Sequence, residues 1–178
     1  PVDGSIDFDQ VRADALRTKP KMMLCGYTSY PRDIDYASFK AIADEVGAIT
    51  MTDASHFGGL VAGRAMANPF DFGFDIVTTT THKSLRGPRG GMVLCRKPFA
   101  KALDKSVFPG LQGGPHMNAV AGIAVTLLKA QTQEFQDYAQ QVLVNAKTLA
   151  NALMAGGVSL ITGGTDNQMM VLDTMASF

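Results

Sequence analysis

Residues 75–83 read Asp-Ile-Val-Thr-Thr-Thr-Thr-His-Lys, and this stretch is the best guide to the fold class. Its six consecutive β-branched residues favour a buried strand, because branched side chains pack well on a pleated surface. The run ends directly in His82 and Lys83, and glycines follow within a few residues. In an open parallel sheet, ligands bind at the carboxyl ends of the strands. The stretch therefore predicts a strand of such a sheet, with a lysine at its ligand-binding edge.

The rest of the chain alternates short apolar runs with amphipathic stretches. Strands are predicted at Met22–Cys25, Ala48–Thr52, Asp75–Thr80 and Gly91–Arg96. Helices are predicted at Asp7–Arg17, at Asp35–Val46, at Pro98–Lys105, and from Pro115 to Leu153 with a break near Gln131–Glu134. This alternation predicts an α/β fold built from βαβ units around a parallel sheet.

A change of pattern after Gly156-Gly157 indicates a second unit. Val158–Thr162 and Gln168–Leu172 predict two short antiparallel strands on either side of a glycine-rich turn. We expect residues 1–150 to form part of a large domain and residues 151–178 to begin a smaller one. The chain starts without methionine and its last run has no completing strand, so we expect it to be an internal piece of a longer protein.

The composition is that of an ordinary globular protein, since 46% of the 178 residues are hydrophobic and 18% are charged. Lys plus Arg and Asp plus Glu number 16 each, so no basic patch points to nucleic acid or an anionic membrane. The apolar stretch Ala119–Leu128 is well short of the ~20 residues that a membrane span needs. Cys25 and Cys95 lie in apolar runs and are expected to be buried, reduced thiols, which favours a cytoplasmic location and no metal site.

A second predicted strand also ends in polar residues. Asp53 follows the run Ala48–Thr52, and His56 comes three residues later. Because both strands end at the same edge, Asp53 and Lys83 should converge there. A desolvated lysine can act as a Schiff-base nucleophile, and a carboxylate can keep a pyridinium nitrogen protonated. Together these residues predict a pyridoxal phosphate site.

Taken singly, each of these residues has a simpler interpretation. Lys83 could be a surface lysine in a turn, Asp53 a turn-capping acid, and His56 a histidine satisfied within the core. The hypothesis of a site depends on all three residues meeting at one sheet edge.

Four motifs resemble the serine hydroxymethyltransferase family. Residues 78–91 (Thr-Thr-Thr-Thr-His-Lys-Ser-Leu-Arg-Gly-Pro-Arg-Gly-Gly) are similar to its cofactor-lysine motif, and residues 53–63 (Asp-Ala-Ser-His-Phe-Gly-Gly-Leu-Val-Ala-Gly) resemble its aspartate–histidine strand. Residues 107–115 and 163–167 also match the family. The resemblance extends over essentially the whole chain. It implies the large domain of the aspartate-aminotransferase-like fold (fold type I of pyridoxal phosphate enzymes), with a parallel-rich sheet, and the start of a smaller α/β domain.

The resemblance also implies a role for each matching residue. Lys83 would bind the cofactor covalently, Asp53 would pair with its ring nitrogen, and Thr80 and His82 would line the site. His56 and Thr28 would lie near the phenolic oxygen of the ring, with Thr28 standing where the family usually has serine. Gly113 and Gly114 would approach the cofactor phosphate of a neighbouring subunit, so the site would need a dimer or a dimer of dimers.

The activity implied is the interconversion of serine and glycine, with a one-carbon unit passed to or from tetrahydrofolate. Pro31-Arg32 and Ser55-His56-Phe57 differ from the typical family sequence, so the substrate-side wall is expected to differ. Alternatives are a related hydroxymethyltransferase or transaldolase acting on a modified amino acid, and a non-catalytic fragment. The family places further site residues before and after the matched region. We therefore expect the chain alone to be inactive and to bind the cofactor weakly.

Overall fold

The computed structural model describes residues 3–177. Its centre is a sheet of four strands: β1 (Met22–Cys25), β2 (Ile49–Asp53), β3 (Ile76–Thr80) and β4 (Gly91–Cys95). The strands lie in sequence order across the sheet. β1, β2 and β3 run parallel, whereas β4 is antiparallel to β3. The fold is therefore α/β with a mixed sheet, and all four predicted strands are present.

The wholly parallel arrangement that the βαβ pattern predicts is wrong for β4. Strands β1 and β2 are joined through a helix, and β2 and β3 through a helical segment. Only residues 81–90 separate β3 from β4, and a parallel crossover needs roughly a dozen residues or more. The chain must therefore turn back, which pairs Thr80 with Gly91 at the edge where β3 ends.

Helices flank the sheet, and the predicted helices are present with bounds that agree to within a few residues, whereas the short helices Gly58–Ala62 and Thr174–Ser177 were not predicted. They are α1 (Phe8–Thr18), α2 (Tyr36–Val46), α3 (Gly58–Ala62), α4 (Lys97–Lys105), α5 (Met117–Ala130), α6 (Gln133–Ala155) and α7 (Thr174–Ser177). A 3₁₀ turn covers Pro69–Phe72, and an irregular helical turn covers Ser106–Leu111. None of the helices in residues 3–177 has both the length and the apolar character needed to cross a membrane.

Helix α2 anchors one half of the core. Asp35 caps its first turn by accepting a hydrogen bond from the Ser38 amide, and Gly47 ends it with a left-handed backbone (φ 70°). Its buried aromatic residues Tyr36 and Phe39 pack against Phe74, with ring centroids 5.3 and 6.3 Å apart. This packing fixes the crossover from β1 to β2 and hence the spacing of the two strand ends.

The long helical stretch is two helices, as predicted, and α6 closes the second half of the core. Thr132 caps α6 by accepting a hydrogen bond from the Phe135 amide. Ala139 of α6 packs so closely on Gly63 that a Cβ at that glycine would lie 2.4 Å from the alanine Cβ. Position 150 lies within α6, and the domain boundary placed there stays a prediction.

The segment after α6 differs from the expected pair of strands. Residues 158–172 contain a single antiparallel bridge, between Leu160 and Leu172, and not two strands. The Asp166 amide and the side chains of Thr165 and Asn167 instead bind the segment that follows β1, and the side chain of Gln168 binds the segment that follows β2. The predicted antiparallel pairing of the two segments is therefore present but limited to this bridge, because the polar groups of residues 165–168 find partners elsewhere in the chain.

Apolar side chains on one face of β1 are exposed within residues 3–177. Burial alternates along β1, where Met22 and Leu24 are 43% and 53% exposed while Met23 and Cys25 are buried. Val93 of β4, on the same face as Leu24, is 47% exposed. The helices described above therefore cover one face of β1 and leave apolar side chains open on the other.

Candidate active site

The carboxyl ends of the three parallel strands meet at one edge of the sheet. The last pairs in the register are Cys25 with Thr52, Asp53 with Thr78, and Thr80 with Gly91. The segments that leave this edge carry Thr28, His56 and Lys83. The structure therefore brings to one edge the strand ends that the sequence placed there.

Asp53 is held in place while one of its carboxylate oxygens stays available. Its Oδ1 accepts hydrogen bonds from the Ser55 amide (3.0 Å) and the Ser55 hydroxyl (2.6 Å). None of the hydrogen bonds within residues 3–177 uses Oδ2. Gly26 (φ 99°) presses against the Asp53 backbone, and a Cβ at position 26 would lie 2.1 Å from the Asp53 carbonyl oxygen. The carboxylate is thus oriented by Ser55 and positioned by the end of β1.

Lys83 lies in the loop of residues 81–90, which is braced by buried hydrogen bonds. The Thr81 amide donates to the Gly90 carbonyl (3.0 Å), and the Thr81 hydroxyl donates to the Pro88 carbonyl (2.7 Å). Lys83 itself is exposed, and within residues 3–177 its ammonium group forms no ion pair. The loop therefore holds the backbone of Lys83, and the desolvation expected for this lysine is wrong for this structure, because its side chain is exposed.

The ring of His82 takes part in the brace of this loop. Its Nδ1 lies 3.2 Å from the Gly90 carbonyl oxygen, and its Nε2 lies 3.1 Å from Nη1 of Arg89. Because the guanidinium can only donate, Nε2 accepts from Arg89, while Nδ1 lies within hydrogen-bond distance of both the carbonyl and the amide of Gly90. Both ring nitrogens are therefore engaged within the loop, which orients the chain on either side of Lys83.

His56 is electrostatically coupled to the other two residues. Partial burial, followed by the positive charge of Lys83, lowers the pKa of His56, and the negative charge of Asp53 opposes this shift. The imidazole is therefore kept neutral at neutral pH. The charges of Lys83 and Asp53 therefore both act on the ring of His56.

The two threonines have different surroundings. Thr80 donates a hydrogen bond from its hydroxyl to the Ser55 carbonyl (3.0 Å), which ties the end of β3 to the turn after β2. Thr28 is exposed, and its hydroxyl has no partner within residues 3–177. Thr80 therefore supports the backbone of the site, and Thr28 offers a free hydroxyl beside it.

Gly113 and Gly114 are not packed against any of residues 3–177 outside their immediate neighbours. Both are exposed, and a Cβ at either position would have no heavy atom within 4 Å. Their neighbour Gln112 lines an open cleft together with Asp53, Ser55, Thr78 and Phe108. The glycines therefore follow directly on a residue of the Asp53 cleft, and their role toward a neighbouring subunit stays a prediction.

Sequence reasoning missed two residues of this region and misjudged a third. Ser55 orients Asp53, and its position two residues after an aspartate is a signal for such an Asx turn. Gln168 donates from Nε2 to the His56 carbonyl (2.7 Å), a contact that no local pattern indicates. Arg32, expected on the substrate-side wall, instead forms an ion pair with Asp166 (3.0 Å).

This geometry defines a class of protein before any comparison. A mainly parallel sheet with a free amine, a free carboxylate oxygen and a neutral histidine at its carboxyl edge is typical of an α/β enzyme with a small-molecule site. Within residues 3–177, no group of three or more His, Cys, Asp or Glu side chains could hold a metal ion.

Comparison with known proteins identifies the family. The family model for serine hydroxymethyltransferase matches residues 1–177. The serine hydroxymethyltransferases of Desulfotalea psychrophila and Prochlorococcus marinus are each 52% identical to this chain over 171 residues, and that of Sorangium cellulosum is 53% identical. The chain belongs to the serine hydroxymethyltransferase family. Each match covers 96% of this chain, and the chain spans 40% of the length of each relative.

Proposed function

We propose that this chain carries the cofactor-binding core of a pyridoxal phosphate enzyme that interconverts serine and glycine, with tetrahydrofolate as the one-carbon carrier. The observation that carries the proposal is the free Oδ2 of Asp53 at the same sheet edge as the unpaired amine of Lys83. Family membership supports the assignment, since the similar proteins bear the name serine hydroxymethyltransferase.

The residues present fit pyridoxal phosphate by the chemistry of their donors and acceptors. The cofactor has an aldehyde that condenses with an amine, and a ring nitrogen that accepts electron density when protonated. Lys83 would supply the amine. Asp53 would accept a hydrogen bond from the protonated ring nitrogen at Oδ2, because Ser55 already occupies Oδ1. When bound, the cofactor would draw electrons from the α-carbon of the amino acid.

Asp53 has the central task in this arrangement. A charge-assisted hydrogen bond of this kind contributes about 1.5–3 kcal/mol, and it favours the protonated form of the ring nitrogen. The two donors of Ser55 keep the carboxylate in one rotamer, so little orientational freedom is lost when the ring binds. The chain thus supplies a preorganised acceptor for a single proton.

The other residues position groups around this pair. His56, kept neutral by its lowered pKa, can stack on the ring or hydrogen-bond to a phenolic oxygen without adding positive charge. Thr28 can donate its free hydroxyl to the same oxygen. His82 and Thr80 hold the loops that bear Lys83 and Ser55. Gly113 and Gly114 are exposed, as an approach to the cofactor phosphate of a partner subunit requires.

The wider assignments follow from the same proposal. The three parallel strands with one antiparallel strand fit the large domain of the fold type I class, and the region after residue 150 would begin the small domain. A homodimer or a dimer of dimers would complete the site through residues 113–114. Both cysteines are free thiols, which suits a reducing cytoplasmic compartment.

Covalent trapping at Lys83 tests the proposal. The chain is incubated with pyridoxal phosphate, reduced with borohydride and digested, and the modified peptide is identified by mass spectrometry. We expect the adduct on Lys83, and its loss in Lys83→Ala, while Lys19→Ala, which removes another exposed lysine, leaves it unchanged. An adduct spread over the surface lysines would refute the assignment.

Catalysis needs a separate measurement. Glycine and tetrahydrofolate are added to the cofactor-loaded chain, and the long-wavelength absorption band that glycine produces with the bound cofactor is followed. We expect a weak band or none from these 178 residues. A strong band would show that the residues of this chain suffice and that the interpretation as an inactive fragment is wrong.

The alternative of a modified amino acid substrate loses part of its basis in this structure. It depended on two departures from the typical sequence, Pro31-Arg32 and Ser55-His56-Phe57, but Arg32 is bound to Asp166 and Thr162. Its guanidinium therefore has a partner within the chain and is not free to select a substrate side chain.

A further inference from the structure

Residues 162–168, named here the brace turn, are bonded to the segment that follows β1. Arg32 reaches into this turn, with its Nη1 donating to Oδ1 of Asp166 (3.0 Å) and its Nε to the Thr162 hydroxyl (3.1 Å). Its Nη2 donates to the Thr162 carbonyl. All three nitrogens of one guanidinium thus bind residues 130 or more positions away. A planar, preorganised donor set of this kind fixes geometry as well as attraction.

Hydrogen bonds to the backbone of residues 30–33 extend the contact. The Asp166 amide donates to the Pro31 carbonyl (2.8 Å), and Nδ2 of Asn167 donates to the Tyr30 carbonyl (2.9 Å). The Asp33 amide donates to Oδ2 of Asp166 (3.3 Å). Asn167 is only 2% exposed, so its bond is shielded from water. These contacts hold the backbone that begins two residues after Thr28.

The same turn also reaches the other side of the site. Gln168 donates from Nε2 to the carbonyl of His56 (2.7 Å). Its Oε1 is buried and has no hydrogen-bond partner within residues 3–177. The brace turn therefore contacts two segments. The segment after β1 carries Thr28, and the segment after β2 carries His56.

The conformation of the brace turn is shaped around the arginine. Thr162 has a left-handed backbone (φ 67°), which is unfavourable for a β-branched residue, and both its hydroxyl and its carbonyl bind Arg32. A Cβ at Gly164 would lie 3.2 Å from Nη2 of Arg32. The turn keeps this costly conformation because the guanidinium binds it.

We propose that Arg32 and Asp166 are positioning residues, which set the positions of the Thr28 and His56 segments relative to Asp53 and Lys83 without touching the ligand. The consequence for cofactor binding rests on the proposed function. The mechanical part of the proposal is that the brace turn orders both segments, and this part does not rest on the proposed function. The two parts are tested separately.

Hydrogen exchange followed by mass spectrometry tests the mechanical part. Arg32→Ala is compared with Arg12→Ala, which breaks the exposed ion pair to Glu45 on the α1–α2 surface. We expect exchange of the amides in residues 27–34 and 55–57 to rise roughly tenfold or more in Arg32→Ala, as loss of a charge-assisted hydrogen bond would give. Arg12→Ala should leave those amides unchanged. An increase confined to residues 162–168, or one equal in both variants, would overturn the proposal.

The rate of borohydride-trapped adduct formation at Lys83 tests the part that concerns the site. We expect a several-fold slower rate in Arg32→Ala and recovery toward the parent rate in Arg32→Lys, which keeps the charge opposite Asp166 but has one donor group in place of the fork. An unchanged rate in Arg32→Ala would overturn the positioning role. If the parent chain forms no adduct at Lys83, the proposed function fails, and the exchange result still decides whether the brace turn orders the two segments.

Discussion

Replacing Gly26 with alanine tests how tightly the end of β1 is fitted against Asp53. The new Cβ would lie 2.1 Å from the Asp53 carbonyl oxygen, well inside the roughly 3.5 Å at which non-bonded heavy atoms attract each other best. The contact is with backbone, so no side chain can rotate away. The end of β1 and residue 53 must therefore separate by about 1 Å, next to the pairing of Cys25 with Thr52.

The expected cost has two parts. Alanine in the left-handed region costs roughly 1–2 kcal/mol, and forcing extra volume into a packed site costs about 1–3 kcal/mol. Gly26→Ala should therefore lower the free energy of unfolding by about 2–5 kcal/mol. Gly47 is the matched control, since its φ is also positive (70°) but a Cβ there would meet nothing within 4 Å. Gly47→Ala should lower the free energy of unfolding only by the backbone cost of roughly 1–2 kcal/mol.

Urea unfolding followed by far-ultraviolet circular dichroism measures the difference. At an m-value of ~2 kcal/mol/M, a further loss of ~2 kcal/mol moves the midpoint of Gly26→Ala about 1 M below that of Gly47→Ala. The effect of alanine on the unfolded chain is common to both variants and cancels in the comparison. Equal midpoints, or a higher midpoint for Gly26→Ala, would show that the backbone of Asp53 is not held by this contact.

Three further outcomes are expected. In the whole enzyme, Asp53→Asn should lower turnover by about tenfold to a hundredfold with cofactor retained, as loss of a charge-assisted hydrogen bond implies, and near-normal turnover would reduce Asp53 to a structural cap. Burial raises the pKa of Cys25 to about 11, so iodoacetamide at pH 8 should label Cys95 well before Cys25, and equal labelling would contradict this. Burial and then Asp166 raise the pKa of Asp33, so its charged form is disfavoured in the folded state. Asp33→Asn should therefore increase the free energy of unfolding by less than ~1 kcal/mol at pH 7, and the gain should vanish in urea titrations as the pH falls below the raised pKa.

The sequence was a good guide to the elements because their signals are local. The β-branched run before Lys83 forms β3, and the apolar spacing of Asp35–Val46 forms α2 with Gly47 as its end. The antiparallel direction of β4 could also have been predicted, because the connection through residues 81–90 is too short for a parallel crossover. Local patterns therefore located the four strands of the sheet and the helices α1, α2, α4, α5 and α6.

Contacts across the chain could not be predicted in this way. Gln168 and Asp166 bind residues more than 100 positions away, and no periodicity marks such a pair. The same contacts explain why Val158–Thr162 and Gln168–Leu172 pair only at the bridge between Leu160 and Leu172 and do not form two full strands. The position of Asp53 and Lys83 at one edge was predictable because strand ends in a parallel sheet meet by rule, whereas the support of Asp53 by Ser55 required the turn itself.

Because one face of β1 is exposed, the tolerance of this strand to substitution reports whether another segment or chain packs against that face. A polar residue at Leu24 should be tolerated while that face is open to water, whereas the same change at Met23 should not, because Met23 is 8% exposed. A mutational scan of the chain would therefore show tolerance alternating along Met22–Cys25. In an assembly that covers this face, the alternation would disappear. A comparison of one scan of the chain alone with one scan of the assembly would therefore show whether the face is covered.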